Sequence, residues 1–99
     1  MPTYRLHITG LVQGVGYRAY CAREAQRLKI NGQVRNLCDG TVEVLCETDE
    51  QTLRSFEMLL RKGPRFSQVR NVEINSCALQ FDTSGFHIVS DDTTLRKRE

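Results

Sequence analysis

Gln33-Val34-Arg35-Asn36-Leu37-Cys38-Asp39-Gly40-Thr41-Val42-Glu43-Val44-Leu45-Cys46 is the stretch on which the fold turns. Val42, Val44 and Cys46 alternate with Thr41, Glu43 and Leu45, the period of two that sends neighbouring side chains to opposite faces of a strand. Gln33 to Leu37 forms a shorter strand ahead of it. Asp39-Gly40 between the two is a strong hairpin signal and predicts a type I′ turn, with positive φ at both central residues. These strands are therefore expected to be antiparallel neighbours.

Downstream, Thr48-Asp49-Glu50-Gln51 has the form of a capping box, and its acidic residues suit the positive end of a helix dipole. Leu53, Phe56, Leu59 and Leu60 supply an apolar stripe, Arg61-Lys62 suit the negative end, and Gly63-Pro64 stops the helix. A strand over roughly Val69 to Ile74 follows, then turn residues Asp82-Thr83-Ser84-Gly85 and a short strand from Phe86 to Val89. Upstream, Tyr4, Leu6 and Ile8 point one way and Arg5, His7 and Thr9 the other, again a half-buried strand. Tyr17, Cys21, Ala25 and Leu28 then step along one face of a helix, with Asn31 or Gly32 as its left-handed cap.

The order is β-α-β-β-α-β plus a terminal strand, an α+β chain of the ferredoxin-like βαββαβ kind. It predicts an antiparallel sheet with two helices on one face, and residues 1–90 as a single domain. Residues 91–99 form a polar, frayed tail.

Ninety-nine residues allow one modest core and no second lobe. Fourteen Lys and Arg against twelve Asp and Glu give a net charge of +2. Arg96-Lys97-Arg98-Glu99 carries all of that surplus, so the folded body has no basic excess of the kind a nucleic-acid binder shows. No apolar run approaches the roughly 20 residues of a membrane span. The N-terminus lacks a secretory pattern, which points to a cytoplasmic protein. Cys21, Cys38, Cys46 and Cys77 have no Cys-x-x-Cys pair and no histidine at ligand spacing, so buried thiols are expected rather than a zinc site.

The loop Gly10-Leu11-Val12-Gln13-Gly14-Val15-Gly16-Tyr17-Arg18 carries the most chemistry. Gly14 and Gly16 can adopt φ values closed to other residues and turn successive N–H groups inward as an anion nest. That nest opens onto a helix N-terminus, which itself favours negative charge. Arg18, in the first helical turn, offers a planar fork of donors that matches two phosphate oxygens. A plain tight turn with an exposed arginine fits the same residues, and residue chemistry leaves both readings open.

Three partial motifs fail here. Gly14-x-Gly16-x-x-Ala19, with Asp39 about twenty residues on, satisfies the dinucleotide fingerprint. The hairpin at Asp39-Gly40 stands where that fold needs a parallel strand. A P-loop lacks its Lys-Ser/Thr. Cys21 and Arg27 copy a phosphocysteine spacing, but the residues between them continue the helix and Cys21 lies on the apolar stripe.

Asn36 lies just ahead of the hairpin. Its carboxamide can accept a proton from water through oxygen and donate through nitrogen, orienting the water without acting as a base. An asparagine bonded to its own turn is the plainer alternative. In a ferredoxin-like sheet the third strand commonly sits between the first and second, which would bring Asn36 near the nest. His7 and His87 read as ordinary sheet residues, and Arg5, Arg65 and Arg70 as solvated charges.

Gly10 to Arg18 resembles the first signature of the acylphosphatase family, and Gly32-Gln33-Val34-Arg35-Asn36-Leu37-Cys38-Asp39-Gly40-Thr41-Val42 is similar to the second. The likeness runs from Tyr4 to about Val89 and includes the Gly63-Pro64 stretch of many bacterial-type, stand-alone members. Gln33 stands where the family usually has an aromatic, and Thr48 where the second signature ends in glycine.

The resemblance implies a metal-independent, cofactor-free hydrolase that cleaves the carboxyl–phosphate bond of small acyl phosphates. Gln13, Gly14, Val15, Gly16, Tyr17 and Arg18 would bind substrate, with the guanidinium and the N–H groups of Gly14 to Arg18 holding the phosphoryl group. Arg18 and Asn36 would be the catalytic pair, Asn36 positioning the water. The expected partners are the substrate and inorganic phosphate, for a monomer with no nucleic acid or membrane involved. A phosphate- or RNA-binding module on the same scaffold is the competing class. RNA readers of this fold stack bases on sheet aromatics, and the strand from Thr41 to Glu47 has none. A domain within a carbamoyl-transfer assembly is a third.

Overall fold

The computed structural model describes residues 1–78 and 84–91. Seven elements follow one another: β1 (Thr3–Leu11), α1 (Tyr17–Arg27), β2 (Asn31–Asn36), β3 (Val42–Glu47), α2 (Glu50–Lys62), β4 (Gln68–Cys77) and β5 (Phe86–Ile88). They build one five-stranded sheet in the order β4-β1-β3-β2-β5. β3 lies between β1 and β2, as the ferredoxin-like reading expects. All pairings are antiparallel except β2 with β5, which run parallel with Val34 beside Ile88.

The alternation in sequence becomes the division between two faces. Leu6, Ile8, Val34, Val42, Val44 and Cys46 from the sheet pack with Tyr17, Cys21 and Ala25 of α1 and Leu53, Phe56 and Leu60 of α2. Burying each large side chain contributes about 1.5–3 kcal/mol. The helices meet over this core through two tyrosines. Tyr17 Oη donates to Leu60 O at 2.7 Å and Tyr20 Oη to Leu59 O at 2.7 Å, satisfying carbonyls in the last turn of α2. On the opposite sheet face Arg5 is not a free solvated charge. It and Arg35 both bond Glu43, at 2.6 and 2.8 Å.

Three local expectations are corrected. The hairpin is not type I′, because Asp39 does not take positive φ. Leu37 N donates to Thr41 O at 2.9 Å and Gly40 N to Leu37 O at 3.2 Å, so Cys38-Asp39-Gly40 is a three-residue loop with Gly40 left-handed at φ 92°. Asp39 Oδ1 accepts from Thr41 N at 3.0 Å and Thr41 Oγ1 at 2.6 Å, which favours this form. The cap of α2 is Asp49, accepting from Thr52 N at 2.7 Å, not Thr48. Thr48 is buried, and its N–H extends the sheet by donating to Pro2 O at 3.1 Å. Lastly, Lys29 (φ 61°), rather than Asn31 or Gly32, takes the left-handed position after α1. Lys29 N donates to Gln26 O and Ile30 N to Ala25 O, the paired bonds of a Schellman motif with Ile30 buried.

No helix among the described residues is long and apolar enough to cross a membrane. The turn expected at 82–85 falls partly outside the described residues, and the tail after Asp91 wholly so.

Candidate active site

β1 delivers the chain to Val12, which is buried and anchors the loop that follows. Gly14 (φ 74°) and Gly16 (φ 79°) both take the left-handed conformation, and a Cβ on either would meet nothing within 4 Å. Backbone conformation, not crowding, therefore requires glycine at these positions. Gly16 is the N-cap of α1 and carries no side-chain cap, and the first turn holds no acidic residue. The opening N–H groups of α1 are thus left without the side-chain acceptor that normally serves them. A shallow pocket of about 210 Å³ lies here, lined by Val12, Gly14, Gly16, Tyr17, Arg18, Ala19 and Ile88.

Arg18 and Asn36, read from separate motifs, come together at one point. Arg18 Nη1 donates to Asp91 Oδ1 at 2.8 Å. Asn36 Nδ2 reaches Asp91 Oδ2 at 3.5 Å, the long end of hydrogen bonding. A single carboxylate therefore spans the two. Asn36 is buried at the end of β2, and its Oδ1 is buried with no protein partner. Such an acceptor is costly to leave unmet.

The other loop residues divide by role. The Gln13 carboxamide donates to Leu37 O at 2.9 Å and Thr41 O at 2.8 Å, so it holds the hairpin against the glycine loop. Val15 packs against the core. Tyr17 sends its ring inward, where burial and then neighbouring Cys21 push its hydroxyl above the ordinary tyrosine range, so it stays a donor. Cys21 is buried and its thiol is raised by desolvation, as a packed thiol should be. Cys21 and Cys46 are the buried thiols expected, whereas Cys77 is half-buried and Cys38 exposed, and none of the four forms a disulfide. His7 Nε2 contacts Thr41 Oγ1 at 2.9 Å, and His87 Nε2 contacts Ser84 O at 3.0 Å.

Two features escape the sequence. The tie from Gln13 to the hairpin crosses between segments, and nothing in local spacing announces it. Asp91 reads as tail, yet β5 runs parallel to β2 in a register that pairs Val34 with Ile88. Val89 N then donates to Val34 O at 3.0 Å, and the next residues arrive beside Asn36. Only that register could have revealed the contact.

Comparison with known proteins identifies the family. The acylphosphatase family model matches residues 4–88. The acylphosphatase of Koribacter versatilis is 43% identical over 86 residues, covering 87% of this chain and 78% of that protein. The acylphosphatase of Thermus thermophilus is 39% identical over 88 residues, covering 89% and 99%. The crystal structure of acylphosphatase from Bacillus subtilis superposes with a TM-score of 0.84 at 37% identity, over 90% of this chain and 99% of that one. Fold, signatures and relatives agree, and the chain belongs to the acylphosphatase family.

Proposed function

We propose that this enzyme hydrolyses small acyl phosphates to a carboxylate and inorganic phosphate, with its own side chains and backbone supplying the catalysis and no metal required. The observation that carries the reading is the convergence of the Arg18 guanidinium and the Asn36 carboxamide on one anionic group, beside the uncapped start of α1.

In this reading the N–H groups of Gly14 to Arg18 and the Arg18 fork hold the phosphoryl oxygens. Asn36 orients a water molecule through its carboxamide. The water oxygen attacks phosphorus, the bond from phosphorus to the acyl oxygen breaks, and the water proton passes to a phosphoryl oxygen. The leaving carboxylate is a weak base, so no general acid is needed. In a loose phosphoryl transition state, positioning and charge stabilisation do most of the catalysis. Ile88, half exposed on the pocket wall, gives the acyl group an apolar surface. The enzyme is read as a cytoplasmic monomer acting on small molecules, and cysteines without disulfides suit that compartment.

The test is benzoyl phosphate hydrolysis in the presence of a chelator. Wild type should turn over, and Arg18→Gln and Asn36→Ala should each lose about 10²-fold, near 3 kcal/mol for one stabilising group. Loss of Arg18 should act mainly on phosphate affinity and loss of Asn36 mainly on kcat. Wild-type turnover equal to that of the double variant would overturn the reading.

A further inference from the structure

Asp91 occupies the point where the proposed reaction needs room for an anion. Its two carboxylate oxygens divide between the two functional side chains, Oδ1 on Arg18 Nη1 at 2.8 Å and Oδ2 toward Asn36 Nδ2 at 3.5 Å. Main-chain pairing delivers it there. β5 lies parallel to β2, and Val89 N bonds Val34 O at 3.0 Å two residues before the carboxylate. A carboxylate and a phosphoryl group present a guanidinium with the same pair of anionic oxygens. The Arg18 fork that serves one is less available to the other, and the two anions repel.

We propose that Asp91 sets the phosphate affinity of this site by competing internally for Arg18. This rests on the reading of Arg18 as the phosphoryl anchor. With the site empty, Asp91 holds Arg18 and Asn36 together. An arriving phosphoryl group, which also gains the backbone donors of the glycine loop, displaces it. Both partners of the Arg18–Asp91 pair are substantially exposed, at 36% and 43%, so the pair is weak and readily exchanged. Apparent affinity is reduced by the fraction of molecules in which Arg18 is engaged. After hydrolysis the same competition favours departure of inorganic phosphate, so Asp91 limits product inhibition.

The experiment measures the Kd of inorganic phosphate by calorimetry, and KM for benzoyl phosphate, for wild type, Asp91→Asn, Asp91→Ala and Asp91→Glu. Both neutral variants should bind phosphate threefold or more tightly, with KM falling in step, and Asp91→Glu should stay near wild type. Unchanged or weaker phosphate binding in the neutral variants overturns the proposal. A carboxylate that merely braced Arg18 would weaken binding when removed, the opposite sign. Calorimetry needs no turnover, so a wild type that binds phosphate without hydrolysing benzoyl phosphate would sink the catalytic reading and leave this comparison readable.

Discussion

Gln13 and Leu37 are joined by a 2.9 Å hydrogen bond from carboxamide Nε2 to main-chain oxygen, and the same nitrogen reaches Thr41 O at 2.8 Å. The glycine loop and the hairpin following Asn36 are thereby fixed to each other. Gln13→Leu removes both bonds and leaves two carbonyls without that donor. A loss of about 1–3 kcal/mol in urea unfolding is expected. kcat for benzoyl phosphate should fall more than phosphate affinity, because the slackened joint lies on the Asn36 side.

Tyr17→Phe deletes the hydroxyl that serves Leu60 O inside the core. The orphaned carbonyl should destabilise the fold by about 1–3 kcal/mol, read as a lower urea midpoint at unchanged slope.

Lys29 holds a left-handed conformation that disfavours any residue with a Cβ. Lys29→Gly should relieve it within the same Schellman motif and stabilise the protein by about 0.5–1 kcal/mol, despite the greater freedom of glycine in the unfolded chain. A lower Tm in the variant would contradict this account of the turn.

Glu43 yields a pH dependence. Its burial works to raise the carboxyl pKa, but hydrogen bonds and charge from Arg5 and Arg35 prevail and hold it below its ordinary value of 4.5. A lowered folded-state value means stability that is present above 4.5 and lost as acid carries the pH down through the folded value. Glu43→Gln should be less stable at neutral pH, and the gap between the two proteins should close as pH falls below 4.5. Unfolding curves at several pH values would show the convergence.

Much of this architecture was legible because it rests on short periods. The alternation in β1 and β3 and the stripe of α2 need only neighbouring residues to be read, and they fix which side of each element meets the core. Gly14, Gly16 and Arg18 were legible as a group because the loop is contiguous. What stayed hidden depends on choices between near-equivalent partners. Thr48 and Asp49 can each cap a helix, and the sheet claims Thr48 for Pro2. Asp39 could accept positive φ, but bonding to Thr41 favours the longer loop. Asp91 joins Arg18 across 73 positions through a parallel register that no local pattern encodes.

β1 is flanked on both sides, with Thr3 opposite Glu47 of β3 and Cys77 of β4. β1 therefore waits for a partner translated much later, and closure of the long stretch between them must precede their pairing. Assembly should be slow for so small a protein, since distant pairings govern its rate. Until β4 docks, one side of β1 is an open ladder on which a second nascent copy could template itself, so crowding during synthesis is when aggregation threatens most.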